Sequence, residues 1–96
     1  MLRITEDHLS PKAATLRLEG QVIGRLVDEV RRCSEQYLGT GHQLTLDLTE
    51  VSFADRRAIA LFSRLRDRQV LLANCSPFLL EQLKSYCRLT LKEDCL

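Results

Sequence analysis

Apolar residues change their spacing along the chain, and each change predicts a new element. Apolar and polar residues alternate over residues 14–20, which predicts a half-buried strand. A shorter alternation over residues 2–5 lies just before it, so the two strands are predicted to form a hairpin. Apolar residues then recur every three or four positions over 23–37, which predicts an amphipathic helix that ends near Gly39 and Gly41.

The middle of the chain repeats this change of period. Residues 44–48 alternate and predict a strand, and residues 49–55 are predicted to form a turn that Val51 and Phe53 anchor inward. Apolar residues over 58–65 form a second helical stripe. Residues 69–73 are nearly all apolar, which is typical of a central strand covered on both faces.

The last part of the chain predicts a third helix. Ser76 is a good N-cap, and Pro77 at the first helical position loses no hydrogen bond. Leu89 and Leu91 permit a short final edge strand. The predicted order is β-β-α-β-α-β-α, so the fold class is α/β: a small mixed, mostly parallel sheet of four or five strands with helices mainly on one face. A length of 96 residues predicts a single domain over 1–96.

Composition narrows the class of protein. The chain is 45% hydrophobic and 28% charged with a net charge of +1, which fits a globular protein without general attraction to nucleic acid or anionic membrane. The start lacks the apolar segment of a signal peptide, and no apolar run approaches the ~20 residues of a membrane span. A cytoplasmic location is therefore expected. The four cysteines lack metal-ligand spacing, so we expect reduced thiols, no metal site and no cofactor.

The start of the second predicted helix breaks a local rule. Arg56 and Arg57 follow Asp55 directly, although a helix N-terminus disfavours cations by about 0.3–1 kcal/mol each. Asp55 is predicted to cap this helix. Because positions that break local rules are often functional, we expect the two arginines to form a recognition surface rather than an ordinary solvated helix start.

The same region carries a resemblance to a known family. Four segments of the chain together resemble the STAS family, which includes anti-sigma-factor antagonists and sulfate-transporter tails. They are the strand at 16–20, the Leu-Asp-Leu strand with its turn ending in Phe53-Ala-Asp55, the helix at 58–62 and the strand-to-helix join at 70–77. The resemblance implies a STAS-like α/β domain that acts by binding other proteins. It also implies that a serine kinase, itself the anti-sigma factor, would phosphorylate the second residue after the aspartate.

This chain departs from the family at that position. Arg56 and Arg57 replace the two hydroxyl residues and Ala58 replaces the glycine that follows, so the resemblance implies a degenerate phosphosite at position 57. Thr49, Ser52 and Ser63 offer hydroxyls nearby, with turn hydrogen bonding expected for the first two. We also expect the chain to lack the last helix of the family, and an uncovered sheet edge would favour a homodimer.

The leading hypothesis is a non-enzymatic regulatory module, since the sequence contains no catalytic triad, P-loop or paired carboxylates at a strand end. By resemblance, its partner is an anti-sigma factor or similar serine kinase. The alternative is a STAS scaffold subunit that binds the cytoplasmic ATPase of an ABC-type lipid transporter. Nucleic acid is disfavoured because the basic second helix lacks interleaved aromatics. The predicted partner-binding residues are Asp55, Arg56, Arg57, Ala58, Ala60 and Ser63.

Overall fold

The protein is described by a computed structural model covering residues 2–94, with side chains through residue 86. Its elements follow the predicted order. They are β1 (Leu2–Leu9), β2 (Ala13–Val22), α1 (Arg25–Gly39), β3 (Gln43–Ala54), α2 (Arg56–Asp67), β4 (Leu71–Ala73) and α3 (Pro77–Asp94).

The four strands form one mixed sheet in the order β1-β2-β3-β4. The β1–β2 hairpin is antiparallel, whereas β2–β3 and β3–β4 are parallel, so the mostly parallel sheet is confirmed. Inward side chains alternate along β2 and β3, and the helices cover them; these residues are Ala14, Leu16, Leu18, Leu44, Leu46 and Leu48. Residues between them are only partly buried, which places the helical cover on one face.

The predicted turn after residue 48 is instead a continuation of β3. Two register shifts against β2 each add one residue to β3, as β-bulges do. At each bulge two consecutive residues are exposed, so the inward positions after Leu48 are Val51 and Ala54. The expectation that Phe53 anchors the segment inward was wrong, because the second bulge leaves its side chain 45% exposed.

The expectation of a central strand over residues 69–73 was also wrong. Only three residues pair, and in the described part of the chain β4 pairs with β3 alone. Val70 is buried on the helical side, but Leu71 is 58% exposed on the opposite face of the sheet, which none of the described side chains covers there. The apolar run therefore belongs to an edge strand.

The structure gives a helix where a final strand was expected. The helix α3 begins as predicted at Pro77, and the Ser76 hydroxyl accepts a hydrogen bond from the Leu79 backbone N–H at 3.2 Å. It continues to Asp94, so Leu89 and Leu91 lie in the helix and the suggested edge strand was wrong. Leu79 and Leu83 are buried and pack α3 against the core.

Candidate functional site

The junction between β3 and α2, here called the corner (residues 54–57), is held by one carboxylate. Asp55 has extended backbone geometry, and its Oδ1 accepts a hydrogen bond from the Ala58 backbone N–H at 2.9 Å. This confirms the predicted N-cap. Its Oδ2 accepts a second bond, also 2.9 Å, from the backbone N–H of Gly24, which lies where β2 passes into α1. One side chain thus joins the ends of two neighbouring parallel strands.

The electrostatics of Asp55 follow from these contacts. Burial raises the pKa of the carboxyl group, but the hydrogen bonds from Gly24 and Ala58 and the charge of Arg57 lower it, and the net result is a pKa below its ordinary value. Asp55 is therefore ionised at neutral pH. Its negative charge lies at the N-terminus of α2, where it offsets part of the unfavourable interaction of the helix dipole with two arginines.

Both arginines of the corner project into solvent. The Arg57 side chain is 62% exposed and makes one loose ion pair, with its Nη2 3.5 Å from Oδ1 of Asp28 on α1. The Arg56 side chain is exposed and has no hydrogen bond or ion pair to any residue whose side chain the structure describes. Neither guanidinium is buried in an intramolecular network.

The other residues proposed for this surface divide by exposure. Ala60 is half-buried and lies one turn after the corner on the same side as Arg57. Ala58 and Ser63 are buried, at 0% and 5% exposure, so they pack α2 in place rather than present side chains outward. Of the predicted residues, the ones with accessible side chains are therefore Asp55, Arg56, Arg57 and Ala60.

Two aromatic side chains beside the corner were missed by the sequence interpretation. Phe53 and Phe78 are about half exposed, and their rings stack with centroids 6.4 Å apart. They line a groove of about 410 Å³ between α2 and α3, together with Arg56 and Tyr86. Aromatic residues, including phenylalanine, and arginine are enriched in protein interfaces relative to the rest of the surface. Phe53 and Phe78 are 25 positions apart, so no local spacing in the sequence could have indicated that their rings meet.

A second groove, here called the basic groove, lies between α1 and α2 and was also missed. It has a volume of about 260 Å³ and is lined by Val27, Asp28, Arg31, Arg57, Ala60, Leu61 and Arg64. It brings together residues from two helices that are separated by about thirty positions, so no local motif could have indicated it. Arg57 is the residue that the corner and the basic groove share.

Hydroxyl groups near the corner have different environments. The Thr49 hydroxyl donates to Oδ1 of Asp47 at 2.6 Å, and this bond is the largest of several contacts that lower the pKa of Asp47. Ser52 is exposed at the second bulge, and its side chain makes no hydrogen bond to the described residues. Thr49 therefore makes a local hydrogen bond as expected, but within β3 rather than in a turn, and the bond expected for Ser52 is absent from the described residues. Ser63 is buried.

Within the described residues, no three His, Cys, Asp or Glu side chains cluster as metal ligands do. Cys33 and Cys75 are free thiols, and burial raises the pKa of Cys75. The predictions for Cys87 and Cys95 concern side chains outside the described residues. None of the helices is both long and apolar enough to cross a bilayer over the residues described.

Comparison with known proteins gives a structural match. No family model matches the sequence, and no curated protein matches it. Among solved structures, the chain superposes on the anti-sigma factor antagonist SpoIIAA in its unphosphorylated form with a TM-score of 0.67, covering 85% of this chain and 82% of that one. The chain has the STAS fold. Sequence identity over this match is 18%, so the likeness is one of fold.

The STAS fold confirms the resemblance found in the sequence and the predicted α/β class. Within it, the corner is the element on which the sequence resemblance depends, and Arg57 lies in the first turn of α2, two residues after Asp55. Its backbone is ordinary helix, and its side chain lies at the surface.

Proposed function

We propose that this protein is a non-enzymatic regulatory module that binds another protein through the corner and the exposed side of α2. The observation that carries the proposal is the position of Arg56 and Arg57. Two outward cations lie at the first turn of a helix, where the dipole opposes them, on a corner that Asp55 fixes from two sides. A structural role would not require the charges at this position.

The charge at position 57 distinguishes this surface from a phosphorylated one. A phosphoserine brings a charge of about −1.5 to −2 at neutral pH, whereas arginine brings +1. Arginine has no hydroxyl to modify, so the phosphorylation input is lost. The surface is permanently on the unphosphorylated side of such a switch.

The class of partner is proposed from the fold neighbour. That protein is named an anti-sigma factor antagonist, and its match to this chain supports an anti-sigma factor or related serine kinase as the partner here. A cytoplasmic location belongs to the same proposal. The ATPase of an ABC-type lipid transporter and a second copy of this chain are the competing partners.

Photo-crosslinking tests the proposal directly. A benzophenone amino acid is placed at Arg56 or at Ala60 on the proposed surface and, as the matched control, at Thr5 on β1. After illumination in the native cell, we expect crosslinks from the first two positions and none from the control. Mass spectrometry then separates a kinase-like protein from a transporter ATPase and from a covalent dimer.

Charge reversal supplies the quantitative test. Arg57→Glu should weaken binding of the captured partner at least tenfold, whereas Arg3→Glu, the same reversal at an exposed position in β1, should leave it within twofold. Equal affinities for wild type and Arg57→Glu would contradict the role of the corner.

A further inference from the structure

The basic groove has the composition of a site for an anionic ligand. Arg31 comes from α1, and Arg57 and Arg64 come from α2. Asp28 is the one carboxylate among the lining residues, so three guanidinium groups against one carboxylate leave a formal charge of +2. The whole chain carries only +1, so this groove is a local concentration of positive charge.

Asp28 does not neutralise the groove. Its Oδ1 is shared between Arg31 at 3.4 Å and Arg57 at 3.5 Å, and both distances are long for charge-assisted hydrogen bonds. Arg64 is exposed, and its guanidinium group makes no hydrogen bond or ion pair to any residue with a described side chain. The guanidinium groups therefore retain donors for another acceptor.

The floor of the groove is apolar. Val27 and Leu61 are buried at 5% and 6% exposure, and half-buried Ala60 lies between the arginines of α2. A shallow apolar strip between cations fits a polypeptide better than a small inorganic anion, because the strip can contact the aliphatic part of acidic side chains. Arginine also matches the planar geometry of a carboxylate with two parallel hydrogen bonds.

We propose that the basic groove binds an acidic segment of the partner protein, in which carboxylate side chains pair with Arg31, Arg57 and Arg64. This inference rests on the proposed function and names the chemistry that the partner presents. Arg57 and Arg64 are seven residues apart on one helix, which separates them by about 10 Å along its axis. A polyproline II segment makes one turn in three residues and rises about 9 Å over them, so acidic residues spaced as Glu-x-x-Glu lie on one side of it and match the two arginines.

The test uses fluorescence anisotropy with a defined probe. A fluorescein-labelled peptide containing Glu-Ala-Ala-Glu-Ala-Ala-Glu is titrated with the full chain at about 50 mM salt, where screening is weak. The matched peptide carries glutamine at each glutamate. We expect the glutamate peptide to bind at least fivefold more tightly than the glutamine peptide. Arg31→Gln and Arg64→Gln should each weaken binding of the glutamate peptide about fivefold, which is the upper value for the loss of one exposed ion pair.

Arg32→Gln is the matched control for Arg31→Gln. Arg32 is the next residue on α1, is exposed, and pairs with Glu29 at 3.4 Å in the same i,i+3 geometry as Arg31 with Asp28, but it lies outside the groove. It should leave binding within twofold. Circular dichroism melts of all variants show whether each one is folded.

Three results would overturn the proposal. The first is equal affinity for the glutamate and glutamine peptides. The second is a loss of peptide affinity in Arg32→Gln as large as in Arg31→Gln, which would indicate only general charge attraction. The third is displacement of the peptide by a random DNA duplex at physiological salt, which would make the groove a nucleic-acid site.

Failure of this inference is distinguishable from failure of the proposed function. Crosslinking from Arg56, outside the groove, is repeated in the Arg31→Gln and Arg64→Gln backgrounds. Undiminished crosslinks with no peptide binding would refute the acidic segment and leave the corner as the binding surface. Loss of crosslinks together with loss of peptide binding supports both.

Discussion

Removal of the Asp55 carboxylate is the most informative perturbation of this structure. The carboxylate accepts one bond from Ala58 N–H within α2 and one from Gly24 N–H, 31 positions earlier in the chain. Loss of an N-cap costs about 1 kcal/mol, and a net hydrogen bond contributes about another 1 kcal/mol. Because Gly24 is exposed, its freed N–H can bond to water, so the second loss stays modest.

Asp55→Ala should therefore destabilise the protein by about 2 kcal/mol, twice the value expected from capping alone. For a chain of 96 residues this corresponds to a decrease in Tm of roughly 8–16 °C. Asp55→Asn keeps an acceptor for Ala58 but cannot accept from both amides. It should lose about 1 kcal/mol.

Urea unfolding monitored by circular dichroism measures these values. The control is Asp7→Asn, because the Asp7 side chain is exposed on β1 and makes no hydrogen bond or ion pair among the described contacts. It should change the free energy of unfolding by less than about 0.5 kcal/mol, as ordinary surface substitutions do. If Asp55→Ala unfolds within about 0.5 kcal/mol of wild type, the carboxylate does not hold the corner.

The pH dependence gives an independent check. The pKa of Asp55 is lowered from its ordinary value of 3.8, so its contribution to stability is fully present above the unfolded-state pKa and is lost as pH falls through the folded-state pKa. The stability difference between wild type and Asp55→Asn should therefore shrink below about pH 4. Asp47, whose pKa is also lowered, is unchanged in both proteins and cancels from this difference.

Three further predictions concern other residues. Phe53→Ala should lower the free energy of unfolding in urea by less than about 1.5 kcal/mol, because the Phe53 ring is half exposed. Phe62→Ala removes a fully buried ring and should lower it by about 3–5 kcal/mol. Equal losses would contradict the outward position that the second bulge gives Phe53. Arg57→Glu should change the free energy of unfolding by less than about 1 kcal/mol, since the gain from the helix dipole opposes the loss of a loose ion pair with Asp28. A larger loss would mean that weaker partner binding by this variant reflects unfolding. Incubation with a serine kinase should leave Ser63 unmodified in the folded protein because it is buried, and phosphopeptide mapping that found it modified would contradict the packing of α2.

Much of the fold follows from periodicity. The β1–β2 hairpin, the amphipathic α1 and the capped starts of α2 and α3 depend on local spacing and local hydrogen bonds, and all were predicted. The errors arose where pairing decides the outcome. The segment 50–54 extends β3 by pairing with β2 around two bulges, and the three-residue spacing from Leu48 to Val51 to Ala54 does not indicate a strand until the neighbouring strand is known.

In the candidate site, too, local contacts could be predicted from the sequence and long-range contacts could not. Asp55 as a cap and the exposed Arg56 and Arg57 could be predicted, because they depend on the first turn of one helix. The contact from Asp55 to Gly24 and the approach of Arg31 to Arg57 depend on how α1 crosses from β2 to β3. Such long-range contacts leave no spacing signature in one sequence.

The double anchoring of Asp55 has a consequence for recognition. A loop that must be immobilised on binding loses conformational entropy, and that loss reduces affinity. Here the backbone that presents Arg56 and Arg57 is already tied to the start of α1 before any partner arrives. The corner is preorganised, and a change in the exposed side chains at 56 and 57 leaves both hydrogen bonds of Asp55 in place.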